Sequence, residues 1–407
     1  MKKTILTVLT LALAFGAAQA AKLPKAHVYT NPTGKEIPIM GWYSIPASEA
    51  THERYQEMRD AGFNLSFSHF STSDDVQKGL DASKGTGVKL MVTCNELAKE
   101  PEKTVRRFMK HGQTAGWFFR DEPSAAAFKS LAKWVQQVRK VDDSHVLYLN
   151  LNPNYAPVEA LESESYQAYV QGFVDQVPLG LVSYDFYPVV EDGGKIFLRD
   201  RYYENMEDVA RIAKASGWPF WAFALSTAHK PYPVPTRDMM RLEIFSSLAY
   251  GAQGLQYFTY WCPTPGTWDF NNAPIEIDGK RTEVYDLVSE INHEVLNLSW
   301  VFLGAKTIDV AHTGEKIPVG THQLKSLPGH IKSVSASGEG VIVSHLVNGA
   351  NHFLMIVNRD LHNRQKVTVE KNLPVSRVMP NGKTVNASLY KDALWVNPGD
   401  YLLYQWK

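Results

Sequence analysis

The chain reads as a (β/α)8 barrel followed by a small all-β sandwich. Three observations carry that expectation. Between about residues 37 and 300, short β-like runs alternate with amphipathic helical stretches, the mark of parallel βαβ units. Eight such runs fit into about 265 residues, the usual size of an eight-fold barrel. Past residue 300 the helical period vanishes, and short β runs separated by turns such as Asn348-Gly, Asn381-Gly and Pro398-Gly-Asp take over.

In order, the β runs cover 37–43, 63–67, 89–93, 116–119, 146–149, 179–184, 220–224 and 254–260. Helical patterns cover 48–61, 73–85, 102–111, 124–141, 164–175, 200–216 and 237–250, and a last one covers 281–298. Thr51, Ser124 and Thr236 stand where a side-chain oxygen can accept from the free amides of a helix start. Gly62 and Gly217 stand where helices must end before a strand. An open doubly wound sheet is the alternative, but it normally carries a Gly-rich phosphate loop after its first strand. Here that place reads Gly41-Trp-Tyr-Ser-Ile-Pro46. In the tail, runs 340–346, 352–358, 365–370, 393–396 and 401–406 form the sandwich, which covers a flank of the barrel or, as a second reading, binds carbohydrate.

The N-terminus divides off before the fold begins. Lys2 and Lys3 precede an apolar run from Ile5 to Ala18, and Ala18-Gln19-Ala20 reads as a cleavage site. Residues 1–20 are therefore expected to be a signal peptide, 21–300 the barrel and 301–407 the sandwich. The apolar run is too short for a membrane span, so the mature chain is expected to be exported to the periplasm or beyond. Formal charge balances to zero, with 42 basic and 42 acidic residues, which gives no support to nucleic-acid binding. The only cysteines, Cys94 and Cys262, end the third and eighth runs, which are not neighbours in a barrel; a disulfide is not favoured. No His/Cys cluster has metal-ligand spacing.

Barrel active sites are built from the C-terminal ends of the strands. Here those ends supply Trp42 and Tyr43; Ser68 and His69; Asn95 and Glu96; Arg120, Asp121 and Glu122; Asn150 and Asn152; Tyr184, Asp185 and Tyr187; Phe223, Ser226 and His229; and Tyr260 and Trp261, with Trp268 and Asp269 soon after. Carboxylates and amides bond hydroxyls, and rings stack on C–H faces, so the set suits a neutral polyhydroxylated ligand. Two carboxyls are also the minimum for cleaving a glycosidic bond. The most informative stretch is Gly116-Trp-Phe-Phe-Arg-Asp-Glu-Pro123, an apolar run that ends in acids. Glu122 reads as a proton donor or as a cap for the following helix, and Asp121 as a partner of Arg120 or a pocket contact. Asp185 reads as pocket lining or an ion-pair member, and Glu96 as a second acid or a helix-start residue. His69 and His229 are ligand contacts or satisfied loop histidines.

The chain resembles the large retaining clan of (β/α)8 glycoside hydrolases, and within it the family 42 β-galactosidase-like branch. The matching pieces are Gly116–Pro123, Ser183–Pro188, Pro219-Phe-Trp-Ala222, Leu248-Ala-Tyr-Gly-Ala252 leading into Tyr257-Phe-Thr-Tyr-Trp261, and the tail Asn397-Pro-Gly-Asp-Tyr-Leu-Leu403. The resemblance implies that Glu122 is the acid/base. It also implies a nucleophilic Glu at the end of the seventh strand, where this chain reads Phe220-Trp-Ala-Phe-Ala-Leu-Ser-Thr-Ala-His229 and has no acid. Three explanations stay open: Asp185 or Glu96 supplies the second carboxylate, the substrate's own group attacks, or the barrel binds a glycan without cleaving it. The expectation is an exported hydrolase of O-glycosyl bonds in an oligo- or polysaccharide, with Glu122, Asp185 and Glu96 as the catalytic candidates. Trp42, Tyr43, His69, Asn95, Asp121, Asn150, Tyr184, Tyr187, His229, Tyr260, Trp261 and Trp268 would contact the sugar. No cofactor or metal is required. An esterase would want a Gly-x-Ser-x-Gly elbow, which is absent.

Overall fold

The computed structural model describes residues 25–264 and 266–407, so the expected signal peptide lies outside the described residues. Eight parallel strands form the barrel: β1 (Ile39–Trp42), β2 (Leu65–Phe67), β3 (Lys89–Val92), β4 (Thr114–Asp121), β5 (Val146–Asn150), β6 (Val182–Tyr184), β7 (Phe220–Leu225) and β8 (Gly254–Phe258). The hydrogen-bonded order is β5-β4-β3-β2-β1-β8-β7-β6. A parallel bridge between Leu151 and Tyr184, with the Leu151 N–H donating to the Ser183 carbonyl at 2.8 Å, joins β5 to β6 and closes the ring.

Period-two alternation sorts the side chains into two cores. Met40, Trp42, Phe67, Met91, Phe118, Tyr148, Trp221 and Phe223 point inward and fill the barrel. Ile39, Leu90, Trp117, Leu147, Val182, Tyr184, Ala222 and Leu255 point outward under the helices. Gly116 explains how β4 and β5 come together: a Cβ there would lie 2.2 Å from the Val146 carbonyl oxygen, so only glycine fits.

Thr51 and Thr236 cap helices His52–Asp60 and Arg237–Ala249, accepting from the backbone N–H of Arg54 and Met239. Gly62 and Gly217 take the left-handed conformation at helix ends, at φ 80° and 70°. Ser124 does not cap. Its segment enters through a 3-10 turn (Ala125–Ala127), and its hydroxyl donates to Glu162 at 2.5 Å instead. The β3–β4 crossover is two short helices, Asn95–Lys99 and Pro101–Phe108, because Pro101 restarts the helix at its first position. Between β6 and the next helix the chain inserts a hairpin, Val189–Asp192 with Lys195–Leu198, whose polar, glycine-turned sequence showed no clear alternation. Cys94 and Cys262 are buried and free. No helix among the described residues is long and apolar enough to cross a membrane.

The C-terminal region packs a six-stranded antiparallel sheet on a three-stranded one. In chain order its strands are β9 (Lys306–His312), β10 (Ile331–Ala336), β11 (Val341–Asn348), β12 (Asn351–Asn358), β13 (Gln365–Lys371), β14 (Ser376–Val378), β15 (Thr384–Asn386), β16 (Ala393–Val396) and β17 (Tyr401–Trp406). The large sheet runs β9-β11-β12-β17-β14-β15 and the small one β10-β13-β16. Both faces of the large sheet are buried. Leu354 and Ile356 face the small sheet, while Phe353, Met355 and Val357 join the core of the barrel's helical layer. Arg241 pins this junction. Its guanidinium holds Glu294 through two bonds of 2.6 and 3.1 Å and also binds Asp400, and the Tyr401 hydroxyl donates to Glu294 at 2.7 Å. Replacing Arg241 with Ala strands a buried carboxylate, so Arg241→Ala is expected to lower the unfolding free energy by about 3 kcal/mol. Denaturant unfolding checks this; an unchanged midpoint would show that the pair does not hold the junction.

Candidate active site

The mouth is built on a directional relay of hydrogen bonds that starts inside the barrel. Burial pushes the Tyr148 phenol far above its ordinary value, so it stays a donor. It donates to Gln256 Oε1, which turns the Gln256 amide so that Nε2 donates to Ser183 Oγ at 2.8 Å. The Ser183 hydroxyl in turn donates to Asn150 Oδ1 at 3.0 Å. With its oxygen thus occupied, Asn150 can present only its NH2 to the mouth. That NH2 reaches Asp185 Oδ1 at 2.8 Å and Asp121 Oδ1 at 3.3 Å.

Glu122 completes the group. Its carboxyl neighbours that of Asp185, whose proton affinity its charge raises. The backbone there is strained: Glu122 sits at φ 42°, in the left-handed region, directly before Pro123. A register shift between Phe118 and Asp121 begins the distortion. Two bonds then hold it, Glu122 N–H to the Asn150 carbonyl at 2.8 Å and the Tyr169 hydroxyl to the Pro123 carbonyl at 2.6 Å. The result turns the last acid of β4 toward β6 instead of along the strand.

Asp121 and Glu122 are exposed at the mouth, while the surrounding strand ends crowd their carboxyls. Burial raises the Glu122 carboxyl above its usual range. Asp121 is pushed up to about 7, by burial first and by the Glu122 charge second, while Asn150 pulls the other way. Asp185 is raised most strongly, by burial and then by the charges of Glu122 and Asp121. Carboxylates this close cannot all ionise, so the group keeps protons at neutral pH.

Rings form the rest of the mouth. Trp42 packs against Phe67, His69, Phe223 and Phe258, with His69 edge-on at 4.9 Å. Tyr43 lies against His69, and Tyr187 against Phe223, Tyr232 and Phe258. His229 stands between Tyr232, Phe270 and Trp268, and half of the Trp268 surface is open to solvent. Burial lowers the pKa of both His69 and His229, which favours their neutral forms.

Several expected site residues lie elsewhere. Tyr184 and Tyr260, 2% and 0% exposed, point into the layer between strands and helices: Tyr184 because Ser183 holds the inward position of its strand, Tyr260 because it lies past the end of β8, where alternation no longer holds. Trp261 follows Tyr260 outward and is buried under Arg54, 5.2 Å from its ring, so it is not the pocket floor. Glu96 does not join the acids. It stands in the first turn of helix Asn95–Lys99, where the backbone N–H groups of its own turn and of Ser73 lower its pKa, as suits a helix-start residue. Asn95 is exposed in the same turn and donates its backbone N–H to the Ser71 carbonyl. At the end of β7, Ser226 and Thr227 bond Thr259; the strand itself carries no acid, and the Glu243 carboxylate of the following helix accepts from the Leu225 N–H at 2.8 Å. Sequence reasoning missed Phe258, Tyr155, Tyr232, Phe270 and Arg199. Phe258 was legible, two residues on from inward Gln256; the others arrive on loops. Among the described residues no group of three or more His, Cys, Asp or Glu side chains could hold a metal ion.

No protein-family model matches the chain, and no curated protein matches it. Solved structures do. A family 42 β-galactosidase from G. stearothermophilus is similar with a TM-score of 0.61 at 9% identity, covering 93% of this chain and 99% of that one. The β-galactosidase of Bacillus circulans sp. alkalophilus gives 0.60 at 9% identity, covering 92% and 99%. A family 39 glycoside hydrolase from Bacteroides cellulosilyticus WH2 gives 0.50 at 11%, covering 95% and 83%. The fold is the barrel these hydrolases share. The chain spans 58% and 60% of the length of the β-galactosidases from Halorubrum lacusprofundi and Marinomonas ef1.

The acid group should cost the fold stability as pH rises. Asp185 has a folded-state pKa above its unfolded value, so its contribution is retained at low pH and lost as pH climbs through the raised value. Asp185→Asn is therefore expected to raise Tm over the parent at pH 8 and much less at pH 4. An equal shift at both values would show that Asp185 ionises normally.

Proposed function

We propose that the protein is an exported glycoside hydrolase that cleaves O-glycosidic bonds of an oligo- or polysaccharide, with Glu122 as general acid. The observation that carries this reading is the Glu122–Asp185 pair. Two neighbouring carboxyls, arranged about Asn150 beside a third acid and both raised above their usual range, can keep a proton at the pH where a proton donor must work. The aromatic wall opposite supports a sugar as the ligand, since rings stack on its C–H faces.

The pair also defines the part played by Asp185. Retaining enzymes hold their two carboxyls about 5–5.5 Å apart and inverting enzymes about 6.5–9.5 Å apart. Glu122 and Asp185 are neighbours about Asn150, and the Glu122 charge raises the proton affinity of Asp185. Asp185 is thus read as the group that keeps the proton on Glu122, and Glu96 has no part. As the glycosidic C–O bond breaks, the leaving oxygen takes the Glu122 proton. The pair, now one proton short, recovers it from the water that adds to the anomeric carbon. Asn150 orients both acids.

A second reading, a glycan-binding protein without turnover, is favoured by the absence of an acid on β7 itself, where the clan's nucleophile would stand. One substitution separates the two. Glu122→Gln is expected to lower turnover of a cleaved glycan by about 10²–10⁴-fold with an unchanged circular dichroism spectrum. Near-normal turnover would remove Glu122 from the chemistry. A parent that retains glycans and cleaves none would establish the binding reading.

A further inference from the structure

Arg199 begins the segment after the mouth hairpin, its backbone N–H donating to the Pro188 carbonyl at 2.8 Å. Its guanidinium lies over the Tyr155 ring at 4.4 Å and the Tyr232 ring at 5.7 Å. Those rings border the acid group directly. Tyr155 packs edge-on against Phe186 at 4.9 Å and Tyr232 against Tyr187 at 5.7 Å, and Phe186 and Tyr187 are the two residues after Asp185. Tyr155 is 37% exposed, so the stack opens to solvent at the rim.

Tyr155 lies closest under the guanidinium, while Tyr232 meets it at Nη2 through its hydroxyl. An arginine has five N–H donors. Here one bond uses them, Nη2 to the Tyr232 hydroxyl at 3.3 Å. Nε is buried without a partner. Among the described residues no carboxylate lies within ion-pair distance of Arg199, whereas Arg241, packed against Phe245, is saturated by Glu294 and Asp400. A guanidinium held by aromatic contact, with most of its donors unpaired, is suited to take a planar or tetrahedral oxyanion through charge-assisted hydrogen bonds from its outer nitrogens.

We infer that Arg199 recognises an anionic substituent, a carboxylate or a sulfate, on the sugar bound at this mouth. The inference rests on the glycan reading given above and names its substrate class: uronate-containing or sulfated glycans rather than neutral ones. The acids on the far side of Phe186 and Tyr187 repel such a group, which orients it toward Arg199 and leaves the glycosidic oxygen for Glu122.

The test uses the full chain carrying Glu122→Gln, so that ligands are not consumed, on an array of neutral, uronate-containing and sulfated glycans. Anionic glycans are expected to bind, and their affinity to fall about 10–100-fold on adding Arg199→Ala, the size of a lost charge-assisted hydrogen-bond pair. Arg199→Lys, which keeps the charge and loses the fork, should recover part of it, and binding should weaken with salt. Retention of uronates alone or of sulfated sugars alone identifies the substituent. Binding only to neutral glycans, unaffected by Arg199→Ala, overturns the inference and leaves the glycan reading standing. Loss of all binding in Arg199→Ala with a lowered Tm, not restored by Arg199→Lys, assigns Arg199 to the fold and overturns it too. An array with no signal, from a protein that also cleaves no glycan, removes the glycan reading and the inference together.

Discussion

Asn150 can offer its NH2 to two acids only because its carbonyl oxygen already accepts from Ser183. That orientation is passed up from inside the barrel, through Tyr148 and Gln256, so a hydrogen-bond chain in the core decides which end of one amide faces the mouth. Buried polar groups must be satisfied, and a relay in which each member has one usable direction satisfies them in only one way. The acids depend on it: without donors at Asp121 and Asp185, neighbouring negative charges would face each other at the mouth. The same β5 residue also receives the Glu122 N–H on its backbone carbonyl. One position thus holds both the strained turn that aims Glu122 and the partner that Glu122 meets.

Strain at Glu122 is the counterpart of that order. A non-glycine residue at positive φ before proline costs about 1–3 kcal/mol, and the surrounding bonds to Asn150 and Tyr169 offset it. Ending β4 in ordinary extended geometry would send the carboxyl along the strand, away from β6. The aromatic side of the mouth needs no such device. Its members come from simple alternation on β1 and β8 and from loops after β6, β7 and β8.

The C-terminal sheets contribute indirectly. The large sheet is apolar on both faces because it is the middle layer between barrel helices and the small sheet, with Arg241 filling the polar gap at the junction. A loop of that domain also reaches the mouth hairpin, where His362 Nε2 meets the Ile196 carbonyl at 3.0 Å. Covering the flank and steadying one lip of the mouth are thus the same packing arrangement.

The fold class was legible because alternation of β runs and helices is a local property, repeated eight times and punctuated by caps at Thr51 and Thr236 and terminators at Gly62 and Gly217. Strand ends were legible for the same reason, which is why Glu122, Asp185 and Asn150 could be named together. The face of a strand end was less legible, because alternation stops where the strand stops: Tyr184 lies on the outward face, Tyr260 and Trp261 turn outward past the end of β8, and Phe258 faces the mouth. Glu96 shows a different limit, since a carboxylate after a strand serves a helix start as readily as a site, and only its backbone partners distinguish the two. The pairing of Glu122 with Asp185 belongs to the tertiary structure, because it requires β4 to bulge and β5 to present Asn150 between strands far apart in sequence. Arg199 belongs there too. Nothing in its sequence neighbourhood marks it, and only folding places it against Tyr155 and Tyr232 with most of its donors unpaired.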